Sequence, residues 1–343
     1  SLWGELRPTL DVDAFKERAR KLCHWSIARG TLAIRSHVDI SDPRLLAVQA
    51  LLEIRDEFRD WLDIQLVAFP QDGVLRLAGA EDSLKRALDM GVNVVGGIPH
   101  FERTMADGAA SVKLLCEIAA DRGLLVDMHC DESDDPMSRH VETLASETQR
   151  LGLHGRVAGS HLTSMHSMDN YYVSKLIPLM VEAELNVIAN PLINITLQGR
   201  HDTYPKRRGM TRVKELAEAG LNVACGHDCV MDPWYSLGSH DMLEVASMGL
   251  HVGQMTGQAE MQEMFRSVTA NGAKTLGLDG YGMDVGCYAD LVVLQARNEI
   301  EALRLRPARL KVYRRGRLLA SAPEQSSAVY WGDEENRVDF TLL

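Results

Sequence analysis

No apolar run in the 343 residues approaches the roughly 20 needed to cross a bilayer, so the sequence offers no membrane span. Basic charge is not in excess: 37 Lys and Arg stand against 48 Asp and Glu, leaving a formal charge of −11 and no footprint for nucleic acid. The six cysteines, at 23, 116, 130, 225, 229 and 287, form neither a secreted disulfide frame nor a CxxC pair. Several lie in apolar runs, where cysteine behaves as a small hydrophobe, and this usage suits a reducing cytoplasm. None of the residues reads as a secretory signal, and the first three are Ser1-Leu2-Trp3, without an initiator methionine.

One unit repeats through the chain: a short β-branched apolar run, a polar or glycine break, then a longer amphipathic stretch. The runs fall at 31–40, 62–70, 92–100, 124–130, 156–162, 185–193 and 221–229. Their starts lie about 30 residues apart, the length of one βα unit. Continuous apolarity marks strands covered on both faces by helices, as in a parallel sheet. Between them, 83–91 and 213–221 carry helical leucine spacing. An open sheet would gather polar residues near one switch point. Here they gather at nearly every strand's C-terminal end, which predicts a (β/α)8 barrel of the TIM type.

Only seven strands are visible, and Ser239 to Leu276 reads as helix. The expectation is that the barrel's first strand lies ahead of Ser1. After Leu278 the texture changes to short strands within 285–296 and 309–321, followed by a polar tail. The chain thus divides into a barrel over 1–282 and part of a small β domain over 283–343.

The strand ends carry the chemistry. His129 with Glu132 three residues later, His161, and the pair His227-Asp228 all fall at equivalent tips. Alternate strand residues face opposite sides, so His227 and Asp228 cannot both point inward unless the strand has already broken at Gly226. Imidazoles and a carboxylate converging on one mouth suit a divalent metal of the zinc or iron type. His37 and His100 have no companion that completes a role and read as core groups. Asp134-Asp135 and the basic run Lys206-Arg207-Arg208 read as solvated loop charge.

Several longer stretches carry a resemblance. His129-Cys130-Asp131-Glu132, Ser160-His161, Phe69-Pro70-Gln71, the segment from Gln198-Gly199-Arg200 through Asp202-Thr203-Tyr204-Pro205-Lys206-Arg207-Arg208, and Gly226-His227-Asp228 with Asp232-Pro233-Trp234-Tyr235 resemble the bacterial cytosine deaminases of the amidohydrolase superfamily. The likeness spans nearly the whole chain. The H-x-E…P-C-x-x-C signature of the other deaminase fold is absent. The resemblance implies one divalent metal, Fe(II) or Zn(II), held by His129 and Asp228. Two further ligands would come from an H-x-H, expected N-terminal to Ser1 because none occurs in these residues. It also implies Glu132 as the acid/base, His161 as hydrogen-bond partner of the attacking hydroxide, and Asp228 as acceptor of its proton. Gln71 would read the amide edge of the base, and Phe69 and Trp234 would line its pocket. Partners are then a free pyrimidine base, with no nucleic acid and no membrane, in a cytoplasmic homo-oligomer of pyrimidine salvage.

At Cys229 the resemblance implies an aspartate beside C5 of the base. A carboxylate there is a poor neighbour for a methyl group, whereas a thiol is smaller, neutral and polarisable. The expected reaction is 5-methylcytosine to thymine and ammonia, with cytosine to uracil also accepted. The alternatives are an ordinary cytosine deaminase, an isocytosine-type deaminase, or an inactive barrel used as a scaffold.

Overall fold

Doubly apolar segments become parallel strands because neither face of such a strand tolerates water. The computed structural model describes residue 5 and residues 7–340. Seven strands follow one another: β1 (Ala33–Asp39), β2 (Asp63–Phe69), β3 (Val94–Gly97), β4 (Leu125–Cys130), β5 (Val157–His161), β6 (Asn186–Ala189) and β7 (Asn222–Cys225). They pair in that order, every neighbour parallel, in one curled sheet with helices between. The arrangement is that of a (β/α)8-type barrel, of which seven strands are present among the described residues. Inside the curl lies a cavity of about 1230 Å³, lined by both β1 and β7.

Strand alternation sorts the residues of β4. Met128 and Cys130 are fully buried in the apolar core under the helices, while Asp127 and His129 line the cavity. Register fixes the rim: Cys130 pairs with His161, and Ala189 with Cys225. The residues following these strands therefore leave the sheet at one end.

Two boundaries differ from the sequence pattern. The run expected as a strand over 185–193 ends at Ala189, and a helix (Pro191–Leu197) takes over. Proline has no N–H for the sheet and suits a first helical turn. The expected polar tail instead holds a hairpin, β11 (Ser327–Trp331) with β12 (Glu334–Val338), turning at Gly332. Its residues are mostly exposed, so no apolar periodicity announces it. The helical region after β7 is three helices, Met242–Gly253, Gln258–Ser267 and Ala270–Leu276. No helix among the described residues is long and apolar enough to cross a membrane.

A second, antiparallel sheet has the order β10 (Arg317–Ser321), β9 (Arg309–Arg314), β8 (Leu291–Leu294). The helix Val12–Ala28 carries Cys23 and Ile27 into a small core with Ile54, Phe58 and Leu62, against which Leu319 and Ala320 pack. An ion pair fastens this layer to the barrel. Arg309 on β9 donates to both oxygens of Asp241, which caps the helix Met242–Gly253, and to the Arg29 carbonyl. Both charged residues are only 5 % exposed.

Arg29 Nη1 also reaches Asp241 Oδ2 (3.3 Å), but from a half-exposed position, so removing Arg309 leaves the buried carboxylate poorly compensated. Arg309→Ala should therefore destabilise the protein by about 3–5 kcal/mol in urea unfolding. The double variant Arg309→Ala/Asp241→Ala should lose less than the sum of the single losses. Strict additivity would show the pair to be uncoupled.

Candidate functional site

Three of the strands end in left-handed turns at residues other than glycine. Asp131 has φ 52°, His161 φ 74° and Asp228 φ 63°. Such backbone persists where the surroundings over-determine it. At Asp131 those surroundings are explicit. Its buried carboxylate accepts hydrogen bonds from Ser138 Oγ (2.7 Å), His140 N (3.1 Å), His140 Nδ1 (2.7 Å) and Val141 N (2.8 Å). This clamp turns the chain so that Glu132 lines the cavity.

At β7 the sheet ends at Cys225, and the two polar residues after Gly226 part company. His227 turns into the loop, donating from Nδ1 to the Cys229 carbonyl (3.0 Å) and accepting from His240 N at Nε2 (3.1 Å). Both ring nitrogens serve the backbone. Both residues border the cavity, but Asp228 is the one whose carboxylate reaches toward His161, its side chain 21 % exposed.

The cavity end of the barrel is a ring cluster. The His129 imidazole stacks on Phe69 at 4.3 Å between centroids and meets His37 at 4.5 Å and His161 at 4.7 Å. Glu132 Oε1 lies 3.3 Å from His161 Nδ1, and Asp228 Oδ2 lies 3.7 Å from His161 Nε2. Below them, Arg35 and Asp127 form a buried ion pair (3.0 Å), and Ser160 Oγ donates to the same carboxylate (2.8 Å). Gln65 Oε1 and the Thr275 carbonyl accept from the guanidinium, so this floor is neutral as a unit.

His129, Glu132, His161 and Asp228 are thus brought together, as the strand-tip pattern predicts. Phe69, Gln71, Cys229 and Trp234 all line the same cavity, and Trp234 is 41 % exposed at its mouth. His37 needs correction. Read from sequence as a lone core histidine, it sits in the ring cluster with its Nε2 3.7 Å from Asp127. The alternation Arg35-Ser36-His37-Val38-Asp39, three polar groups on one face of an apolar strand, was the available signal. His100 lies outside the cavity, behind Asp131 and His140. The basic run is an exposed loop, as its sequence reads, and the structure adds the contacts that anchor it. Arg207 pairs with Asp202 and donates to Ser167 Oγ and the Asp134 carbonyl, Lys206 donates to the Gly199 carbonyl, and Arg208 to that of Val252. Asp134 in turn accepts from Gly199 N (2.8 Å).

Burial shapes the electrostatics. It pushes the Glu132 carboxyl up to about 8, with the neighbouring Asp228 charge adding to the effect. Burial likewise lifts Asp228 to about 7, helped by Asp232. Two buried carboxylates facing one cavity cannot both ionise cheaply. Burial holds His129 and His161 well below the usual imidazole range, and so neutral. The Cys229 thiol is pushed up by burial and by Asp228, which keeps it protonated.

These residues fit a bound cation. His129 Nδ1 is buried with no hydrogen-bond partner, and a neutral imidazole beside an acidic oxygen donor is the chemistry a zinc or iron ion takes. Among the described residues no group of three or more His, Cys, Asp or Glu closes around a metal position, so the set here is partial.

The sequence profile of the Amidohydrolase family matches residues 16–320. Among solved structures, 5-methylcytosine deaminase from Klebsiella pneumoniae, liganded with 5-fluorocytosine, is similar at 41 % identity and TM-score 0.93, over 94 % of this chain and 78 % of that one. The same enzyme liganded with phosphonocytosine matches at 40 % identity and TM-score 0.93, over 96 % and 80 %. N-isopropylammelide isopropyl amidohydrolase of Pseudomonas sp. strain ADP is 29 % identical over 90 % of this chain and 73 % of its own length.

The Asp131 clamp has a pH signature. Burial alone would raise this carboxyl, but the hydrogen bonds from His140, Val141 and Ser138 outweigh it and hold the group below its ordinary range. A depressed folded-state value adds stability that is present above the ordinary aspartate pKa of about 3.9 and is lost as pH falls through the folded value. Asp131→Asn should cost about 1–3 kcal/mol at pH 7 and show a shallower loss of urea stability below pH ~4. Parallel acid profiles for wild type and variant would contradict this.

Proposed function

The chain belongs to the amidohydrolase family, and from that premise we propose that it deaminates a free pyrimidine base, converting 5-methylcytosine to thymine and ammonia and accepting cytosine as well. The observation that carries the reading is the convergence of His129, Glu132, His161 and Asp228 on one cavity rim with Cys229 beside Asp228. The 41 % identity to a 5-methylcytosine deaminase supports it.

The family is typically dependent on a divalent metal. His129 and Asp228 would hold an iron(II) or zinc(II) ion, which when bound lowers the pKa of a water toward neutrality. The remaining steps belong to this chain. Glu132, held protonated by burial, delivers a proton to N3 of the base and makes C4 more electrophilic, general acid catalysis of about 10²–10⁴-fold. An oxygen from water then bonds to C4. One of the water's protons restores Glu132, the other passes by way of Asp228 to the amine, and the C4–N4 bond breaks to release ammonia. His161 hydrogen-bonds the attacking oxygen. Gln71 reads the amide edge of the base, and Phe69 and Trp234 bound its faces. The six free cysteines suit a cytoplasmic setting, and a homo-oligomer is the family's expected state.

Specificity falls to Cys229. A protonated thiol with its sulfur 3.7 Å from Asp228 Oδ1 presents a polarisable, uncharged surface. A pocket fitted to one extra methyl discriminates by roughly 1–3 kcal/mol.

Two substitutions test the proposal in metal-loaded protein from the full gene. Glu132→Gln keeps the shape and removes the proton, and kcat should fall by about 10²–10⁴-fold while the base still binds. Cys229→Asp should lower kcat/KM for 5-methylcytosine at least about 10-fold more than for cytosine. Equal losses on the two bases would leave an ordinary cytosine deaminase.

A further inference from the structure

His161 is held from behind by a hydrogen-bond chain whose direction can be read without ambiguity. The backbone N–H of Asn190 can only donate, and it donates to Asn194 Oδ1 (3.1 Å). That fixes the Asn194 amide: its oxygen is engaged, and its Nδ2 faces His161 Nδ1 at 2.8 Å. A second amide nitrogen, Asn190 Nδ2, lies 3.3 Å from the same ring atom. The Asn190 oxygen is pressed against Gly226, where a Cβ would stand 2.3 Å from it. Both asparagines are buried, Asn194 completely. Turning the Asn194 amide over would set its NH₂ against the Asn190 N–H, two donors face to face in a dry interior.

We propose that Asn194 is a positioning residue that fixes His161 as the Nε2–H tautomer, so that His161 offers the attacking oxygen a donor and never a base. With an amide donating to it, Nδ1 has its single lone pair filled and carries no hydrogen. The ring's proton is then on Nε2, the atom that faces Asp228 Oδ2 across 3.7 Å. Two consequences follow for the site, and both rest on reading it as that of a hydrolytic deaminase. Asp228, without competition from an imidazole lone pair, is the group that accepts the nucleophile's proton. Glu132, whose Oε1 lies 3.3 Å from Nδ1, finds that lone pair already taken, so its own proton stays available for the base.

The direct test is neutron diffraction of the deuterated, metal-loaded wild-type enzyme from the full gene. Deuterium on His161 Nε2 and on Asn194 Nδ2, with none on His161 Nδ1, is the expected density. Deuterium on Nδ1 would overturn the assignment. The companion variant is Asn194→Asp, which keeps the size and still accepts from Asn190 N–H but turns a second acceptor to the ring. It should draw a proton onto Nδ1 and lower kcat at least about 10-fold, since a wrong imidazole tautomer is known to cost far more in a hydrolytic triad. KM and metal content should change little. Wild-type kcat in this variant would equally overturn the proposal. Should the variant fail to fold, the wild-type neutron density decides alone. Absence of ammonia release by the wild type would defeat the deaminase reading and leave the tautomer result standing as a separate fact.

Discussion

Everything at the rim depends on three residues held in left-handed backbone where their strands end. A β-strand can present only alternate residues to one face. Asp131, His161 and Asp228 break that rule at the rim, each with a positive φ. The first turns Glu132 toward the cavity, the second seats an imidazole against it, and the third parts Asp228 from His227. The strain is offset locally: by four hydrogen bonds on Asp131, by the asparagine chain behind His161, and by two backbone contacts on the His227 ring. Strained backbone gathered where the titratable groups gather is the usual mark of a functional centre.

The electrostatics follow from the same placement. Arg35 neutralises Asp127 in the floor, so no fixed cation there lowers the carboxyls above it. Glu132 and Asp228 face each other across a low-dielectric cavity, and burial raises both. In the proposed chemistry that is an advantage: one carboxyl is protonated and ready to donate, and the other is basic enough to accept. A thiol at Cys229, where a carboxylate would stand beside Asp228 and Asp232, adds neither charge nor bulk to this setting. The proposed preference for a methylated base therefore has an electrostatic part beside its steric one.

The barrel was legible because helix-covered parallel strands must be apolar throughout, and seven such runs at regular spacing leave few other folds. The site tips were legible for a related reason: charge at the end of an apolar run has no packing role to play. What stayed hidden was whatever depended on partners distant in sequence. The exposed basic loop is plain in the sequence, but nothing near Arg207 shows that Ser167 and Asp134 anchor it. His37 is solitary in the sequence because the residues that complete its surroundings, Asp127 and His129, lie on another strand. The hairpin Ser327–Val338 leaves no mark in the sequence, since a ribbon exposed on both faces needs no hydrophobic period. Asn190 falls inside the apolar run 185–193 and Asn194 just beyond it, and only the helix Pro191–Leu197 brings both to His161.

In the proposed function this rim of strand ends hydrolyses the exocyclic amine of a free 5-methylated pyrimidine. The most direct measurement is ammonia release from 5-methylcytosine and cytosine, side by side, by metal-loaded wild-type protein from the full gene. The expected result is turnover of both bases, with kcat/KM on 5-methylcytosine equal to or above that on cytosine. Turnover of cytosine alone would contradict the role given to Cys229, and turnover of neither would contradict the reading of the site.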